Sequence, residues 1–559
     1  MAAPAQLGMT PPLSTALPTE SDISATNALI EELKRQNNYE SSADSEKRTV
    51  VLQSLQRITE EFVKQVLIAQ GQPGKIATAA GGKIFTYGSY RLGVYGPGSD
   101  IDTLVVAPKD VTLDHFFAYF PDLLMKMAPA GAITELTPVP DSFVPIIKFE
   151  YSGISIDLIF CHVQLSQIPK DLSLLGMDML RGLDEKELRC LNGTRVTDEI
   201  LTLVPQKAVF RTALRGIKLW AQRRAIYANI MGFPGGVAWA MMVARVCQLY
   251  PKAAGSTILL KFFRIMEKWT WPTPVQLKKI ENGPFSNIRT WNPQLYHGDK
   301  NHLMPIITPA YPSMCATHNI TRSTRTIIQR ELQRGGDIMT NIMEGRTQWK
   351  ELFVKNTFFV NGYKYYLSII AASTTEEAQL IWSGFVESKV RLLMGFLEDH
   401  GSIAIAHPFN KGFERKHKCH SEEEVEKAKS CLHHQVKDAS TAGESIQNGD
   451  EKPNGTENRT TVYTSTWYIG LELSEGAKSL DLSYQVDKFK HDICMKWEKF
   501  DQDLNAINII HTKNCDLPVD VFCEGEVKPT RPQKKKKRSA EDPANLPAKR
   551  QHTSVAAAS

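Results

Sequence analysis

Apolar residues recur with two different periods along this chain, and the change of period divides it into segments. From about Ile23 to Gln70 the spacing is helical. Between residues 84 and 163, short apolar runs alternate with Gly and Pro turns, which predicts a small mixed sheet. Helical spacing then dominates residues 206–349, and strand patterns at 356–373 and 461–473 predict a second sheet.

These patterns predict an α+β protein of several domains. A chain of 559 residues is too long for a single hydrophobic core, which agrees with this division. The expected segments are a flexible lead at 1–22, a mixed-sheet domain at 23–205 whose first helices could pack on the central domain, a helical central domain at 206–352, a second α/β domain at 353–515 with a disordered polar loop at 436–460, and a basic disordered tail at 516–559.

Composition narrows the class of protein. Hydrophobic residues make up 42% of the chain and the net charge is only +5, which are ordinary values for a soluble globular protein. No run of about 18 apolar residues exists, so no membrane span is expected. The first residues lack the basic and apolar regions of a signal peptide, and the nine cysteines form no CxxC pair. We therefore expect a protein of a reducing compartment.

Three aspartates form the strongest candidate for a chemical site. Asp100 and Asp102 stand at the start of an apolar strand, two positions apart, so both side chains face the same side. Asp157 lies inside the apolar segment ISIDLIF, where an unpaired carboxylate is costly to bury. Adjacent carboxylates repel each other unless a cation lies between them, and an oxygen-rich set suits Mg²⁺ or Mn²⁺. The pair alone would also fit an ordinary turn or edge strand.

A glycine-rich segment ahead of the acids favours the metal site. Gly88-Ser89, about a dozen residues before the aspartate pair, is predicted to begin a helix. Free backbone N–H groups and a serine hydroxyl at such a position suit a phosphate. The combination predicts a site for a phosphorylated ligand together with a divalent metal.

The segment GSYRLGVYGPGSDIDTL resembles the signature of the nucleotidyltransferase superfamily that includes DNA polymerase beta, and in detail it resembles eukaryotic poly(A) polymerases. Further segments resemble the same family in the same order: SIDLIF, LNGTRV, IKLWAQRRAIYANIMGFPGGVAWAMMVARVCQLYP, MPIITPAYPSMCATHNIT and WKELF. The resemblance covers residues 10–510. It implies a mixed-sheet nucleotidyltransferase domain, a helical central domain and a ferredoxin-like, RRM-like RNA-binding domain before the tail.

The resemblance also implies an activity. AMP would pass from ATP to an RNA 3′-hydroxyl without a template, in the nucleus, as in mRNA 3′-end polyadenylation. Two Mg²⁺ or Mn²⁺ ions per site would be held by Asp100, Asp102 and Asp157, which would be both the catalytic and the metal-binding residues. The expected partners are ATP, the RNA 3′ end and proteins of the mRNA cleavage and polyadenylation complex. We expect the protein to act as a monomer, away from membranes.

Residues outside the acidic triad are implied to contact ATP. Lys218 and Tyr227 are too far out of phase for one unbroken helix to point both at one ligand, so the helix would have to end or bend between them. Periodicity alone also allows an ordinary amphipathic helix. Gln222 stands where the family often has Lys, which puts one supplementary phosphate contact in doubt. The resemblance implies ATP contacts for Tyr87, Gly88, Ser89, Asp100, Asp102, Asp157, Asn192, Lys218, Tyr227, Gly236, Val237 and Thr308.

Basic residues occur in two further places. The two basic clusters of RPQKKKKRSAEDPANLPAKR (531–550) predict a bipartite signal read by a nuclear import receptor, and an RNA-binding tail is the alternative. The third domain has no RNP1-type motif, so contact with the RNA backbone is expected rather than base stacking. The basic residues expected to make that contact are Lys389, Arg391, Lys411, Arg415 and Lys416.

Two other functions fit parts of the sequence. The superfamily motif also occurs in terminal uridylyl transferases and CCA-adding enzymes, although residues 217–321 resemble the poly(A) type. A catalytically inactive RNA-binding scaffold is the second alternative. The presence of all three aspartates argues against a scaffold.

Overall fold

The computed structural model describes residues 7–285, 288–429, 460–477 and 480–531. The first part is a five-stranded sheet of order β1-β2-β5-β4-β3, in which only the central pair β2 and β5 is parallel. Its elements are α2 (Ser42–Ala69), α3 (Gly74–Ala80), β1 (Lys83–Thr86), α4 (Gly88–Leu92), β2 (Ile101–Pro108), α5 (Leu113–Met127), β3 (Ile133–Val139), β4 (Ile146–Tyr151), β5 (Ile154–Val163) and α6 (Glu185–Leu203).

Strand β2 is buried on both faces, which explains its nearly continuous apolar sequence. Side chains alternate across a strand, so Ile101 and Val105 join one core cluster and Leu104 and Val106 join another. Helices α2 and α5 cover the first face, and α6 lies near the second. The sheet is therefore a rigid support, and the two central strands carry the aspartates at one end.

The central domain is helical and includes the first helix of the chain. Thr26 of that helix lies 3.0 Å, hydroxyl to hydroxyl, from Ser256, and Thr257 donates a 2.9 Å hydrogen bond to Asp22. By contrast, α2 packs on the sheet. The helices are α1 (Glu20–Arg35), α7 (Lys207–Arg223), α8 (Gly236–Leu249), α9 (Gly255–Glu267), α10 (His297–Lys300) and α11 (Arg322–Met343).

The flexible lead expected over residues 1–22 makes defined contacts in the part that the structure describes, residues 7–22. The backbone N–H of Leu13 donates to the carbonyl of Leu249 at 2.8 Å, and Arg245 donates to the hydroxyl of Thr10 at 2.7 Å. Helix α1 already begins at Glu20. The Pro- and Thr-rich composition hid these contacts because they are made with residues far away in the chain.

The third domain is an antiparallel sheet covered by one long helix. Strands follow the order β10-β6-β9-β7, and β8 pairs with the other half of β9. Most of the polar loop predicted at 436–460 lies outside the described residues, and β9 begins at Thr460. The elements are β6 (Tyr365–Ser373), α12 (Glu376–Glu398), β7 (Ile403–Pro408), β8 (Phe413–Cys419), α13 (Glu422–Lys429), β9 (Thr460–Leu473), α14 (Ser483–Asp487) and β10 (Asn505–Lys513).

The disordered tail expected from residue 516 is also packed at its start. Leu517 and Val521 are buried in a cluster with Phe358 and Phe359, so the chain is packed beyond residue 516. The Pro- and Lys-rich composition masked these two apolar anchors. The import signal predicted at 531–550 lies outside the described residues, apart from its first residue.

One basic residue of the third domain has a structural partner. Arg415 is buried and donates to Asp520 at 2.6 and 3.0 Å, and it also donates to the hydroxyls of Thr466 and Tyr468. A guanidinium held in this way is not free for an RNA phosphate. This corrects the expectation for Arg415. Lys416 is exposed and pairs with Glu376.

Polar contacts bind the central and third domains together. The Glu398 carboxylate accepts hydrogen bonds from the backbone N–H groups of Arg322 and Ser323, at 3.2 and 2.8 Å, and so caps α11 from the next domain. Arg330 of the same helix pairs with Glu472 of β9. Among the helices of the described ranges, none is long and apolar enough to cross a membrane.

Replacing Glu398 with Ala should loosen this interface. The substitution leaves two helix N–H groups without their acceptor, which costs about 1–3 kcal/mol and should lower Tm by a few degrees in a thermal melt. Glu376→Ala is the matched control because it removes an exposed carboxylate from an ion pair, and it should leave Tm nearly unchanged. Equal melting temperatures for both variants would contradict the capping role.

Candidate active site

The three predicted aspartates meet at one end of the central strands. Asp102 of β2 and Asp157 of β5 are direct partners in the parallel register, and Asp100 lies just before β2. One carboxylate oxygen from each of the three lies within 4.8 Å of the other two. The geometry therefore brings together the hard oxygen ligands that Mg²⁺ and Mn²⁺ prefer.

A positive φ angle at Gly88 brings the backbone close to the acids. Gly88 has φ +61°, and a Cβ atom on it would lie 2.1 Å from the Asp102 Oδ2 atom. The Gly88 N–H donates to the Thr197 hydroxyl at 3.3 Å, while the Tyr87 N–H donates to the Asp102 carbonyl at 3.1 Å. The helix predicted to begin at Gly88-Ser89 is α4. Only glycine combines this backbone conformation with this close approach.

The three carboxylates are close together and partly buried, so their negative charges repel one another and favour binding of a cation. Burial, followed by the charges of Asp100 and Asp157, raises the pKa of Asp102 to about 7. Burial, followed by the charges of Asp102 and Asp157, raises the pKa of Tyr87 far above its usual value. A divalent ion would relieve the repulsion and keep Asp102 ionised. The donor set thus fits the metal that the sequence predicted.

Asp157 has a partner that the sequence did not reveal. The Lys148 Nζ atom of β4 lies 2.9 and 2.7 Å from the two carboxylate oxygens of Asp157. The antiparallel register places these residues directly opposite each other. The sequence predicted that Asp157 would need a cation, and in this structure an ammonium group supplies that charge. Lys148 can be identified as the partner of Asp157 only when the pairing of β4 with β5 is known.

A cavity of ≈ 400 Å³ opens beside Asp100 and Asp102. Larger hollows of ≈ 740 and ≈ 840 Å³ lie along α2 and contain none of the three aspartates. The predicted site residues that line the cavity are Gly88, Ser89, Asp100, Asp102, Lys218, Tyr227, Gly236 and Val237. The lining residues that the sequence did not single out as contacts are Leu92, Val94, Ser99, Thr197, Leu214, Gln222 and Trp239.

Asp157 faces a second hollow on the other side of Asp100. This hollow, of ≈ 520 Å³, is lined by Lys148 and Glu150 of β4 as well as by Ser99, Asp100 and Asp157. Ser99 and Asp100 line both spaces. The acidic cluster therefore stands between two hollows that could receive two different ligands.

The chain turns between Lys218 and Tyr227, as their spacing required. Helix α7 ends at Arg223, and Ala225 has φ 57°, a left-handed conformation that breaks the helix. Both side chains consequently line the cavity. The Tyr227 hydroxyl also closes against Gly236, where a Cβ atom would approach it to 2.4 Å.

Four of the predicted ATP contacts lie outside the cavity lining: Thr308, Asn192, Tyr87 and Asp157, the last of which lines the second hollow. Thr308 is buried, and its hydroxyl accepts a 2.9 Å hydrogen bond from the Met314 N–H. Asn192 precedes Gly193, where a Cβ atom would come within 2.9 Å of the Tyr87 ring. Tyr87 therefore packs between the acids and α6. ATP contacts by these four residues, like those by the residues that line the cavity, stay predictions.

Three family models match the chain one after another. They are the poly(A) polymerase nucleotidyltransferase domain over residues 8–204, the poly(A) polymerase central domain over 209–355 and the poly(A) polymerase predicted RNA binding domain over 357–531. This chain belongs to the poly(A) polymerase family. The resemblance found in the sequence and the predicted fold class are thereby confirmed.

Relatives of this poly(A) polymerase family member match along nearly the whole chain. Poly(A) polymerase pla1 of Schizosaccharomyces pombe is 54% identical over 558 residues, which is 97% of either chain. Poly(A) polymerase PAPa of Candida albicans is 48% identical over 95% of either chain. Among solved structures, Cid1, an RNA terminal uridylyl transferase, aligns with 60% of this chain and 99% of its own at 13% identity, with a TM-score of 0.41.

Adding a methyl group at Gly88 should displace the Asp102 carboxylate. Gly88→Ala is expected to weaken Mn²⁺ binding at least tenfold, or by about 1.4 kcal/mol, in a titration followed by electron paramagnetic resonance. Gly98→Ala is the matched control because Gly98 also has a positive φ, of 72°, but a Cβ atom there meets nothing within 4 Å. Equal loss of Mn²⁺ affinity in both variants would show that backbone strain, not displacement of Asp102, is responsible.

Removing the Asp102 charge should stabilise the metal-free protein. The folded-state pKa of about 7 exceeds the ordinary value of 3.8, so the folded chain loses stability relative to the unfolded chain as pH rises between these values. In EDTA at pH 8, Asp102→Asn should raise the free energy of unfolding by about 1–3 kcal/mol, and the gain should shrink towards pH 4. A variant that is no more stable than the parent at pH 8 would contradict the assigned repulsion.

Proposed function

We propose that the chain is a polynucleotide adenylyltransferase that adds AMP from ATP to RNA 3′ ends without a template. The observation that carries the proposal is the position of Asp100, Asp102 and Asp157 between two hollows. Transfer of a nucleotide requires a donor and an acceptor on opposite sides of the reacting phosphorus. Family membership and the names of the relatives support ATP as the donor.

ATP would occupy the cavity beside α7. The Lys218 ammonium, the Tyr227 hydroxyl and Ser89 offer the triphosphate one cation and two hydrogen-bond donors. Val237 is half exposed and lies beside Gly236, so a side chain and an open backbone would contact the apolar face of adenine. Adenine faces suit such a surface because they carry no hydrogen-bonding groups.

The RNA 3′ end would occupy the second hollow. Asp157 and Lys148 line it, and Lys148 is half exposed and so can also reach a phosphate. The acids would face the acceptor hydroxyl, and divalent ions would offset the negative charge of the four carboxylates that line this hollow, those of Asp100, Glu135, Glu150 and Asp157. The basic residues of the third domain other than Arg415 would contact the RNA backbone farther along.

Two Mg²⁺ or Mn²⁺ ions would be held by the acidic triad. Asp100 and Asp102 would bind on the triphosphate side, and all three aspartates would bind on the acceptor side. When bound, the ions would supply charge neutralisation for the pyrophosphate and a lower pKa for the 3′-hydroxyl. The residues of the chain itself would orient the reactants: Gly88 leaves room for the Asp102 carboxylate, and Lys218 with Tyr227 would hold the triphosphate.

The cellular setting belongs to the same proposal. We infer a nuclear protein that acts in mRNA 3′-end polyadenylation as a monomer and works with cleavage and polyadenylation proteins. The two basic clusters of residues 531–550 support recognition by a nuclear import receptor.

Primer extension tests the reaction. The full chain is incubated with an unstructured RNA primer and each of the four nucleoside triphosphates separately, with Mg²⁺ or Mn²⁺. Extension is expected with ATP, with loss of at least 10³-fold for Asp102→Ala because a metal ligand is removed. Asp114→Ala removes an exposed aspartate at the start of α5 and should keep the parental rate.

Preferential incorporation of UTP or CTP would overturn the adenylyltransferase assignment in favour of a uridylyl or CCA-adding enzyme. Failure to extend with any nucleotide would favour an RNA-binding scaffold. Full activity of Asp102→Ala would refute the proposed metal site.

A further inference from the structure

One face of α7 carries three basic residues, Arg211, Arg215 and Lys218, at successive helical turns. The proposed function uses only Lys218. Arg215 is buried, with 7% of its surface exposed, and its guanidinium donates to carbonyl oxygens of Asn38 at 2.5 Å, Tyr95 at 2.7 Å and Gly93 at 3.2 Å. The same group lies over the Tyr39 ring, 4.5 Å from its centre.

Together the three basic residues hold four consecutive carbonyls of the 92–95 loop. Arg211 donates to the Leu92 carbonyl at 2.9 Å, and the Lys218 ammonium lies 3.5 Å from the Val94 carbonyl. Arg215 holds the carbonyls of residues 93 and 95. Every carbonyl of the loop is thus held by one face of α7.

The 92–95 loop is the link between the two halves of the proposed active site. It joins α4, which carries Gly88 and Ser89, to the turn that leads to Asp100. Leu92 and Val94 of this loop also line the ATP cavity. A shift of the loop would therefore move the phosphate-binding residues and the acids relative to Lys218.

We propose that Arg215 is a positioning residue for nucleotide transfer, which fixes the 92–95 loop to α7 so that Ser89, Asp100 and Lys218 face one cavity. A guanidinium suits this role because its planar donors reach several carbonyls in different directions, which a single ammonium cannot do. Arg215 also anchors the turn after α1 through the backbone and side-chain oxygens of Asn38, so its acceptors come from two separate segments. The inference rests on the proposed function.

Arg215 has a second effect on the neighbouring lysine. Burial, followed by the positive charge of Arg215, lowers the pKa of Lys218, while Asp100 and Asp102 oppose this shift. The positive charges of Lys218 and Arg215 repel each other, and an incoming anion near Lys218 would offset this repulsion. The triphosphate would draw Lys218 from the Val94 carbonyl, and Arg215 would hold the loop when that contact is lost.

Steady-state kinetics of Arg215→Ala and Arg215→Lys test the proposal, with ATP and the RNA primer varied in turn. The KM for ATP is expected to rise at least tenfold and kcat to fall in both variants, while the KM for the primer changes less than threefold because the second hollow does not include the loop. Millimolar methylguanidinium should partly restore ATP turnover in Arg215→Ala and leave the lysine variant unchanged.

Arg245→Ala is the matched control. Arg245 is as deeply buried as Arg215, and its partners are Gln248 and Thr10, away from the cavity lining. This variant should lose thermal stability while the KM for ATP stays at the parental value. If Arg215→Ala behaves in the same way, or if Arg215→Lys matches the parent in every constant, Arg215 is a structural residue and the proposal is overturned.

A fluorescent ATP analogue separates this proposal from the proposed function. The adenylyltransferase assignment fails if the parent binds the analogue but does not extend RNA. Even then, weaker analogue binding by both Arg215 variants than by Arg245→Ala supports Arg215 as a positioning residue of the cavity. Equal binding by all three variants overturns it. Arg215→Lys keeps the test decisive if Arg215→Ala does not fold.

Discussion

Repulsion between three carboxylates is the constraint on which the rest of this structure depends. Carboxylate oxygens of Asp100, Asp102 and Asp157 lie within 4.8 Å of one another at the end of a sheet with apolar core clusters on both faces. Such a cluster destabilises the fold unless positive charge is close by. The chain supplies some of that charge itself, through Lys148 opposite Asp157 and Lys218 across the cavity. Because the repulsion between the carboxylates is only partly offset, the site favours the binding of divalent cations.

The remaining architecture keeps this unfavourable arrangement in place. The parallel pairing of β2 and β5 sets the spacing of Asp102 and Asp157, and the absence of a side chain at Gly88 leaves room for the Asp102 carboxylate. The basic face of α7 then ties the loop ahead of Asp100 to the central domain. Rigid elements therefore hold the acids, and cationic side chains from two domains surround them.

Much of the site was predictable because its signals are local. Asp100 and Asp102 are two positions apart in a strand pattern, which places their side chains on the same face. Lys218 and Tyr227 would point in different directions on one continuous helix, so the helix had to end between them, as it does after Arg223. Lys148 and Thr197 could not be found in this way, because their roles come from strand pairing and from helix packing. The contacts of residues 7–19 and 517–521 were missed for a related reason, because composition averages over a segment. Hydrogen bonds of Thr10 and Leu13 hold the first segment, and the buried side chains of Leu517 and Val521 hold the second. The order of the folded domains followed from periodicity alone.

A crystal structure of the full chain with Mn²⁺, a non-hydrolysable ATP analogue and a short RNA would test the central claim most directly. Anomalous scattering at the manganese edge should show two ions bounded by the carboxylates of Asp100, Asp102 and Asp157, about 2.0–2.3 Å from their oxygens. The Lys148 ammonium should then have moved away from Asp157, because the metal replaces its charge. Manganese bound elsewhere, or an analogue seated in the cavity with no ion at Asp102, would contradict the account.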